Sequence, residues 1–176
     1  MAKYEFQVSA LTPVAVADAT NFTTLGFMAL QGGAATQINN IWSISIGGQA
    51  TTSAPTFLML ALDSTVGAAS ITALSSPNSV GPLSRSNVAI AAPAVGFITA
   101  GTLPQRATSV AAPKKQFTFN AFGGSAYWHA YDKSECFQIY GASAWTAVGT
   151  GGEASLSAFT GGTPGPINCD WIFETE

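Results

Sequence analysis

The chain has 176 residues, of which 47% are hydrophobic, and its net charge is −3. Only 9% of the residues are charged, against about 25% in an average soluble domain. The six basic residues, with Lys114-Lys115 as their only adjacent pair, cannot form the basic stripe that nucleic acid requires. We therefore exclude nucleic acid as a partner.

The length fits a single domain that spans residues 1–176. No run approaches the roughly 18 apolar residues of a membrane span, so we expect no membrane association. The start of the chain, residues 1–6, lacks the basic and apolar regions of a secretion signal. We therefore expect a protein that is made in a cytoplasm.

Alternation of apolar and polar residues recurs along the chain and predicts strands that bury one face. The alternating apolar residues are, in chain order, Tyr4, Phe6 and Val8; Trp42, Ile44 and Ile46; Phe117 and Phe119; and Ile167, Cys169, Trp171 and Phe173. Two further runs, Leu25–Leu30 and Phe57–Leu62, are apolar at every position and predict strands buried on both faces.

The stretch Ala19–Leu62 contains no charged residue. Strand edges in soluble monomers are usually protected by Lys or Glu, so we expect neighbouring subunits to cover part of this stretch. The sequence therefore predicts a homo-oligomer, with a trimer as the first expectation.

Glycine- and proline-rich turns separate the predicted strands, and amphipathic helical patterns are nearly absent. We predict an all-β fold, an antiparallel β-sandwich, and within that class a jelly roll of about eight strands. The segment near residues 75–102 has three prolines and little alternation, so we predict a long irregular excursion over the surface there.

Residues that could support catalysis are few. The only histidine, His129, has Asp132 and Glu135 nearby, but no Gly-x-Ser-x-Gly motif supplies a nucleophile. Asp132 and Glu135 could act as a carboxylate pair, although a charged turn of this kind usually only keeps a loop in water. We therefore predict no enzyme activity and no catalytic residues.

No metal or cofactor site is predicted either. Cys136 and Cys169 match no metal-binding or redox spacing, and no glycine-rich segment leads into a phosphate-binding helix. In a reducing cytoplasm both cysteines are expected to be buried free thiols.

A group of aromatic residues leaves two interpretations open. Aromatic side chains on a β-sandwich can stack on sugar rings, which would indicate a carbohydrate-binding module or adhesin. They can equally pack the core of the sandwich, and this interpretation is the one we favour. The group consists of Tyr127, Trp128, Tyr131, Phe137, Tyr140 and Trp145.

Turn-rich segments between residues 46 and 166 together resemble small virion proteins of tailed bacteriophages, which decorate or cement the capsid with a jelly-roll domain. The segments are Ile46–Gly48, Ser53–Thr56, Leu62–Gly67, Asn78 with Gly81–Leu83, Pro104–Arg106, Phe119–Gly124 and Leu156–Gly165.

The resemblance implies a non-enzymatic decoration or cement subunit of a virion, assembled in the host cytoplasm. Its partners would be the major capsid protein or other virion subunits. A tail or head-fibre subunit is the alternative within the same class. The resemblance implies no catalytic, cofactor-binding or metal-binding residue.

Overall fold

The computed structural model describes residues 2–13, 15–16, 26–32, 36–65, 71–73, 81–82, 94–98, 105–106, 114–141, 153–159 and 165–176. Most of these residues lie in strands, which confirms the predicted all-β class. The helical structure among them is one 3-10 turn, Lys133–Glu135.

The described residues form fourteen strands, numbered here in chain order. The first seven are β1 (Ala2–Leu11), β2 (Ala15–Val16), β3 (Gly26–Gln31), β4 (Ile38–Gly48), β5 (Pro55–Thr65), β6 (Ile71–Ala73) and β7 (Gly81–Pro82). The remaining seven are β8 (Ala94–Ile98), β9 (Gln105–Arg106), β10 (Lys114–Asn120), β11 (Ser125–His129), β12 (Phe137–Tyr140), β13 (Glu153–Phe159) and β14 (Ile167–Thr175).

The strands form two sheets, and every pairing except that of β2 with β13 is antiparallel. The six-stranded sheet has the order β11-β4-β14-β1-β7, and β12 pairs with β4 beyond the end of β11. The eight-stranded sheet has the order β10-β5-β13-β3-β8-β6, with β2 beside β13 and β9 beside β5. The predicted antiparallel β-sandwich is thus confirmed.

The longer strands pair in a nested order. β1 pairs with β14, β3 with β13, β4 with β11 and β12, and β5 with β10. β14 also pairs with β4, and β13 also pairs with β5, so that each sheet is continuous. The short strands β6, β7 and β8 extend the sheets at their edges, and β9 pairs with the end of β5.

Side chains from both sheets fill one core. The six-stranded sheet contributes Trp171, Phe173 and Ile44, and the eight-stranded sheet contributes Leu60 and Leu156, all fully buried. The burial of β14 alternates along most of its length, as the period-two pattern predicts.

A bulge in β4 corrects the predicted face of Trp42. Ile172 pairs with Ser43 but Phe173 pairs with Ile41, which leaves Trp42 as the extra residue. A one-residue shift moves a side chain to the other face of a sheet, so Ile41 enters the core and Trp42 remains only half-buried. The prediction that Trp42 shares the face of Ile44 and Ile46 is therefore wrong.

The run Phe57–Leu62 is buried on both faces from Leu58 onwards, as predicted. In the other apolar run, Leu30 is buried. The strands β3, β4 and β5, which occupy much of the uncharged stretch, all lie inside their sheets with a strand on either side. Interior strands need no charged edge protection, so the absence of charge there has an explanation within one subunit.

The predicted irregular excursion near residues 75–102 lies mostly outside the described residues. Within it, β7 pairs with β1, and β8 pairs with β3 and β6. These described parts extend both sheets at their edges.

The turn between β10 and β11 packs closely against the end of β4. The N–H of Gly48 donates to the carbonyl of Gly124 at 2.8 Å, and that of Ala50 donates to Ala121 at 2.9 Å. The side-chain oxygen of Asn120 accepts hydrogen bonds from the N–H groups of Ala54 and Phe122. This network fixes the point from which β11 starts.

Candidate functional site

β11 is an edge strand of the six-stranded sheet, and its side chains alternate between two environments. Ser125, Tyr127 and His129 are exposed, whereas Ala126 and Trp128 pack against the core. The Lys115 ammonium of β10 lies 5.0 Å from the centre of the Trp128 ring. A cation at this distance is attracted to the face of the ring, which links the edges of the two sheets.

The outer face of this sheet carries a row of rings that starts at Tyr127. The rings of Tyr127 and His129 are nearly parallel, with centroids 6.2 Å apart and 7° between their planes. The Trp42 ring is 6.5 Å from that of His129 and tilted by 38°. On the far side of Trp42, the Lys3 ammonium lies 3.8 Å from the centre of the ring.

Trp42 is held in this row by a hydrogen bond as well. Its indole N–H donates to a carboxylate oxygen of Glu174 at 3.0 Å. An indole that stacks on one face of the sheet while its N–H binds a carboxylate has one fixed orientation. The bulge that turns Trp42 out of the core thus extends the aromatic row across the sheet.

The turn between β11 and β12 is built around Asp132. One carboxylate oxygen of Asp132 accepts hydrogen bonds from the Ser134 N–H at 2.7 Å and from the Ser134 hydroxyl at 2.6 Å. These bonds hold the pKa of the Asp132 carboxyl below its ordinary value. A carboxylate of Glu135 accepts from the N–H of Tyr131 at 3.1 Å, closing the turn from the other side.

The turn is also tied to residues near the end of β14. Lys133 forms an ion pair with Glu176, and the Asn40 side chain donates to the same carboxylate at 2.7 Å. The Lys133 ammonium lowers the pKa of the Glu176 carboxyl, and Glu176 raises the pKa of Lys133. Gln138 of β12 in turn donates to Asn40 at 2.8 Å.

These contacts bear on the possible catalytic roles of His129, Asp132 and Glu135. Asp132 and Glu135 accept hydrogen bonds from the backbone of their own turn, which is what a turn-forming carboxylate does. His129 lies beside the Tyr127 and Trp42 rings. The contacts therefore explain these residues without an acid–base pair.

An open cleft of about 880 Å³ lies beside the turn. It is lined by the side of β11, by the turn and by the start of β12. Its lining residues are Lys115, Tyr127, Trp128, His129, Tyr131, Ser134, Glu135, Cys136 and Phe137.

The predicted aromatic group divides between the core and the surface. Phe137 is buried, and Trp128 is partly buried against the core, as core packing requires. Tyr127 and Tyr131 are 67% and 89% exposed, and Tyr140 is also exposed, so the favoured core interpretation is wrong for these three. Trp145 lies outside the described residues.

The two cysteines are free thiols in different environments. Cys169 is fully buried, burial raises its pKa, and the Trp171 indole donates to its sulfur at 3.3 Å. Cys136 is only half-buried, which differs from the prediction, and burial raises its pKa as well. Among the described residues no group of His, Cys, Asp and Glu has the arrangement of a metal site.

Sequence reasoning missed the environments of three residues, of which Phe122 does not line the cleft. Trp42 was assigned to the core, Lys115 was noted only for its charge, and Phe122, which is 59% exposed, was noted only as part of a turn. The Gly-Gly step after Phe122 indicated a turn, but nothing in the sequence signals the bulge at Trp42.

Within the part of the chain that the structure describes, no helix has the length and apolarity needed to cross a membrane. Comparison with protein-family models, with curated proteins and with solved structures found no match for this chain. The function must therefore be argued from the fold and from the surface of the protein itself.

Proposed function

We propose that this protein is a non-enzymatic structural subunit of a virion, a decoration or cement protein that binds and reinforces the capsid of a tailed bacteriophage. We further propose that its sandwich is a jelly roll. The nested pairing of the longer strands supports the jelly roll, and the low charge of the chain is the observation that carries the structural role.

A jelly roll is a long hairpin folded over on itself, so its first strand pairs with its last, its second with its seventh, its third with its sixth and its fourth with its fifth. The nested pairs β1 with β14, β3 with β13, β4 with β11 and β12, and β5 with β10 support this topology when β11 and β12 count as one interrupted strand. Jelly rolls are common in viral capsid proteins and in lectins.

Fold alone does not decide between these uses. The low charge supports the structural role, because surfaces buried in permanent assemblies carry fewer charged residues than free surfaces. The resemblance of the turn-rich segments between residues 46 and 166 to capsid decoration proteins supports the same role.

The mechanism of reinforcement follows from the linkage between binding of this subunit and assembly of the shell. A subunit that binds only the assembled shell, across the joints between shell proteins, shifts the equilibrium towards the assembled state. Each bound copy adds buried apolar area that must be exposed again before the shell can come apart. No bond is made or broken in this role, so no catalytic residue is needed.

The test uses particles purified from a lysate of the host in which the protein is made. Gold-conjugated antibody raised against the recombinant chain is applied to these particles and viewed by electron microscopy, with pre-immune serum as the control. We expect gold on the heads at repeated positions. Gold on tails would favour the tail or fibre alternative, and particles without gold would contradict a virion role.

A second measurement tests reinforcement. The shells of particles stripped of the protein should come apart at a lower temperature than those of intact particles. Adding back the recombinant protein should raise that temperature to the value for intact particles. If stripped and restored particles come apart at the same temperature, the protein does not reinforce the shell.

A further inference from the structure

The exposed large hydrophobic side chains of the described residues are concentrated in one part of the chain, between Phe122 and Tyr140. Tyr127 and Tyr131 line the same cleft, together with His129. Contiguous exposed aromatic groups on a soluble protein usually mark a binding surface. Since Tyr131 is 89% exposed, a ligand on its ring would remove a large apolar area from water.

The turn that carries Tyr131 is ordered by its own hydrogen bonds. Asp132 accepts two bonds from Ser134, and Glu135 accepts one from the N–H of Tyr131 itself. The ion pair of Lys133 with Glu176 fixes the other side of the turn. The Tyr131 backbone is therefore held in place before any ligand binds, which lowers the entropic cost of binding.

The polar groups of the cleft are mixed in sign. Ser134 offers a hydroxyl, Glu135 a carboxylate and Lys115 an ammonium group at the margin of the aromatic surface. The negative charge of Glu135 and the positive charge of Lys115 nearly cancel, so the cleft does not favour a strongly charged ligand. Its volume of about 880 Å³ lies within the usual range of small-molecule sites.

We propose that this cleft binds a neutral hexopyranose oligosaccharide. A pyranose ring has an apolar face of C–H groups, which suits the exposed rings of Tyr127 and Tyr131, and a rim of hydroxyls. Those hydroxyls can donate to Glu135 and accept from Lys115. A nucleic acid could also stack on these rings, but it would need a row of cations along its phosphates.

The parallel rings of Tyr127 and His129 define the second part of the site. Both side chains project from one face of β11, and their rings stack on each other beside the turn. Two groups of exposed rings, Tyr131 on the turn and Tyr127 with His129 on β11, can each contact one sugar ring of an oligosaccharide. The site therefore favours an oligosaccharide over a monosaccharide.

The experiment measures binding of maltohexaose, cellohexaose and chitohexaose to the full chain at millimolar concentration, by saturation-transfer NMR and calorimetry. A heparin hexasaccharide and an oligo-dT are the charged comparators. The test variants are Tyr127→Ala and Tyr131→Ala, with Tyr131→Phe as the conservative replacement. Phe122→Ala and Tyr140→Ala are matched controls, because they remove exposed aromatic rings that do not line the cleft.

We expect at least one neutral hexasaccharide to bind, with affinity reduced about tenfold or more in Tyr127→Ala and Tyr131→Ala. Tyr131→Phe and the two controls should bind within about threefold of the unmodified chain. Circular dichroism of each variant checks the fold, and because the Tyr131 side chain is 89% exposed, its removal takes no contact from the core.

Three results would overturn the proposal. The first is that none of the neutral hexasaccharides binds. The second is that only the heparin fragment or the oligonucleotide binds. The third is that neutral sugars bind equally well to the two cleft variants and to the controls, which would place the sugar elsewhere on the protein.

Discussion

Gly48, at the end of β4, has no room for a side chain. A Cβ built at this position would lie 2.5 Å from the Cα of Ala121 and closer still to its carbonyl group. These atoms belong to backbone, so no side-chain rotation can relieve the overlap. A Gly48→Ala substitution must therefore push the turn between β10 and β11 away from β4.

The size of the effect follows from the hydrogen bonds at this junction. Displacing the turn breaks the bonds from Gly48 to Gly124, from Ala50 to Ala121 and from Ala121 to Ala54, which are 2.8, 2.9 and 2.8 Å long. At about 1 kcal/mol net for each bond, the loss is about 3 kcal/mol. Alanine also restricts the unfolded backbone more than glycine does, which stabilises the folded state by about 0.4–1 kcal/mol. The net loss in the free energy of unfolding is therefore about 2 kcal/mol.

Gly47→Ala is the matched control, because a Cβ at Gly47 meets no atom within 4 Å. Guanidinium unfolding should show a lower midpoint for Gly48→Ala, equivalent to about 2 kcal/mol, and an unchanged or slightly raised midpoint for Gly47→Ala. For a chain of this size the corresponding fall in Tm is about 4–8 °C. Equal midpoints for the two variants would refute the reasoning from the close approach of the turn.

Four further predictions concern thiols, acid stability, attachment and assembly. A thiol reagent should modify Cys136 slowly and Cys169 not at all in the folded protein, because Cys169 is fully buried, and should modify both after unfolding without reductant. If neither reacts until reductant is added, the cysteines are bridged. Lys133 lowers the pKa of the Glu176 carboxyl in the folded protein relative to the unfolded chain. The stability that this carboxyl contributes is therefore fully present above the pKa of the unfolded state and is lost as the pH falls through the pKa of the folded state. Glu176→Gln should therefore flatten the dependence of Tm on pH below about pH 5, where an ordinary Glu carboxyl begins to take up protons, and an unchanged slope there would contradict this role. Particles washed in molar sodium chloride should keep the protein and those washed in guanidinium should lose it, because salt screens ion pairs but does not weaken apolar burial; release by sodium chloride alone would indicate an electrostatic interface. Sedimentation should show a closed oligomer, with a trimer as the first expectation, and a stable monomer at micromolar concentration would contradict self-association.

The strand pattern was predictable because alternation is a local property. The alternation of Ile167, Cys169, Trp171 and Phe173 gave the buried face of β14 correctly. The alternation at Trp42 gave the wrong face, because the bulge depends on how β4 pairs with Ile172 and Phe173 of a distant strand. A pattern within one segment does not reveal a shift that its partner imposes.

The surface was harder to predict than the core. Tyr127 and Trp128 are adjacent and both aromatic, yet one is 67% exposed and the other packs against the core. Alternation predicts that they differ but not which of them faces inwards. Tyr131 belongs to a turn, where no periodicity applies, and its exposure depends on hydrogen bonds between the turn and its own side chains.

The uncharged stretch gives a related lesson. The absence of charge between Ala19 and Leu62 was interpreted as a sign of neighbouring subunits. Strands β3, β4 and β5 lie inside their sheets, so their own chain already supplies strands on both sides, and the self-association expected from this stretch stays a prediction. Composition indicates that a segment is buried from solvent, but it does not show whether the same chain or another chain covers it.

The position of β14 at the centre of its sheet has a consequence for how the protein is made. β14 separates β4 from β1, so neither of those strands has this central partner until residues 167–175 have been synthesised. At about 5–20 residues per second, β1 waits on the order of 10–30 s after leaving the ribosome for the strand that pairs along its length. During that time its apolar residues are interspersed with Lys3 and Glu5, charged residues of the kind that discourage premature association. This sheet therefore closes after translation of β14, and synonymous codon changes that slow translation upstream of residue 167 should lengthen the period in which β1 is open to aggregation.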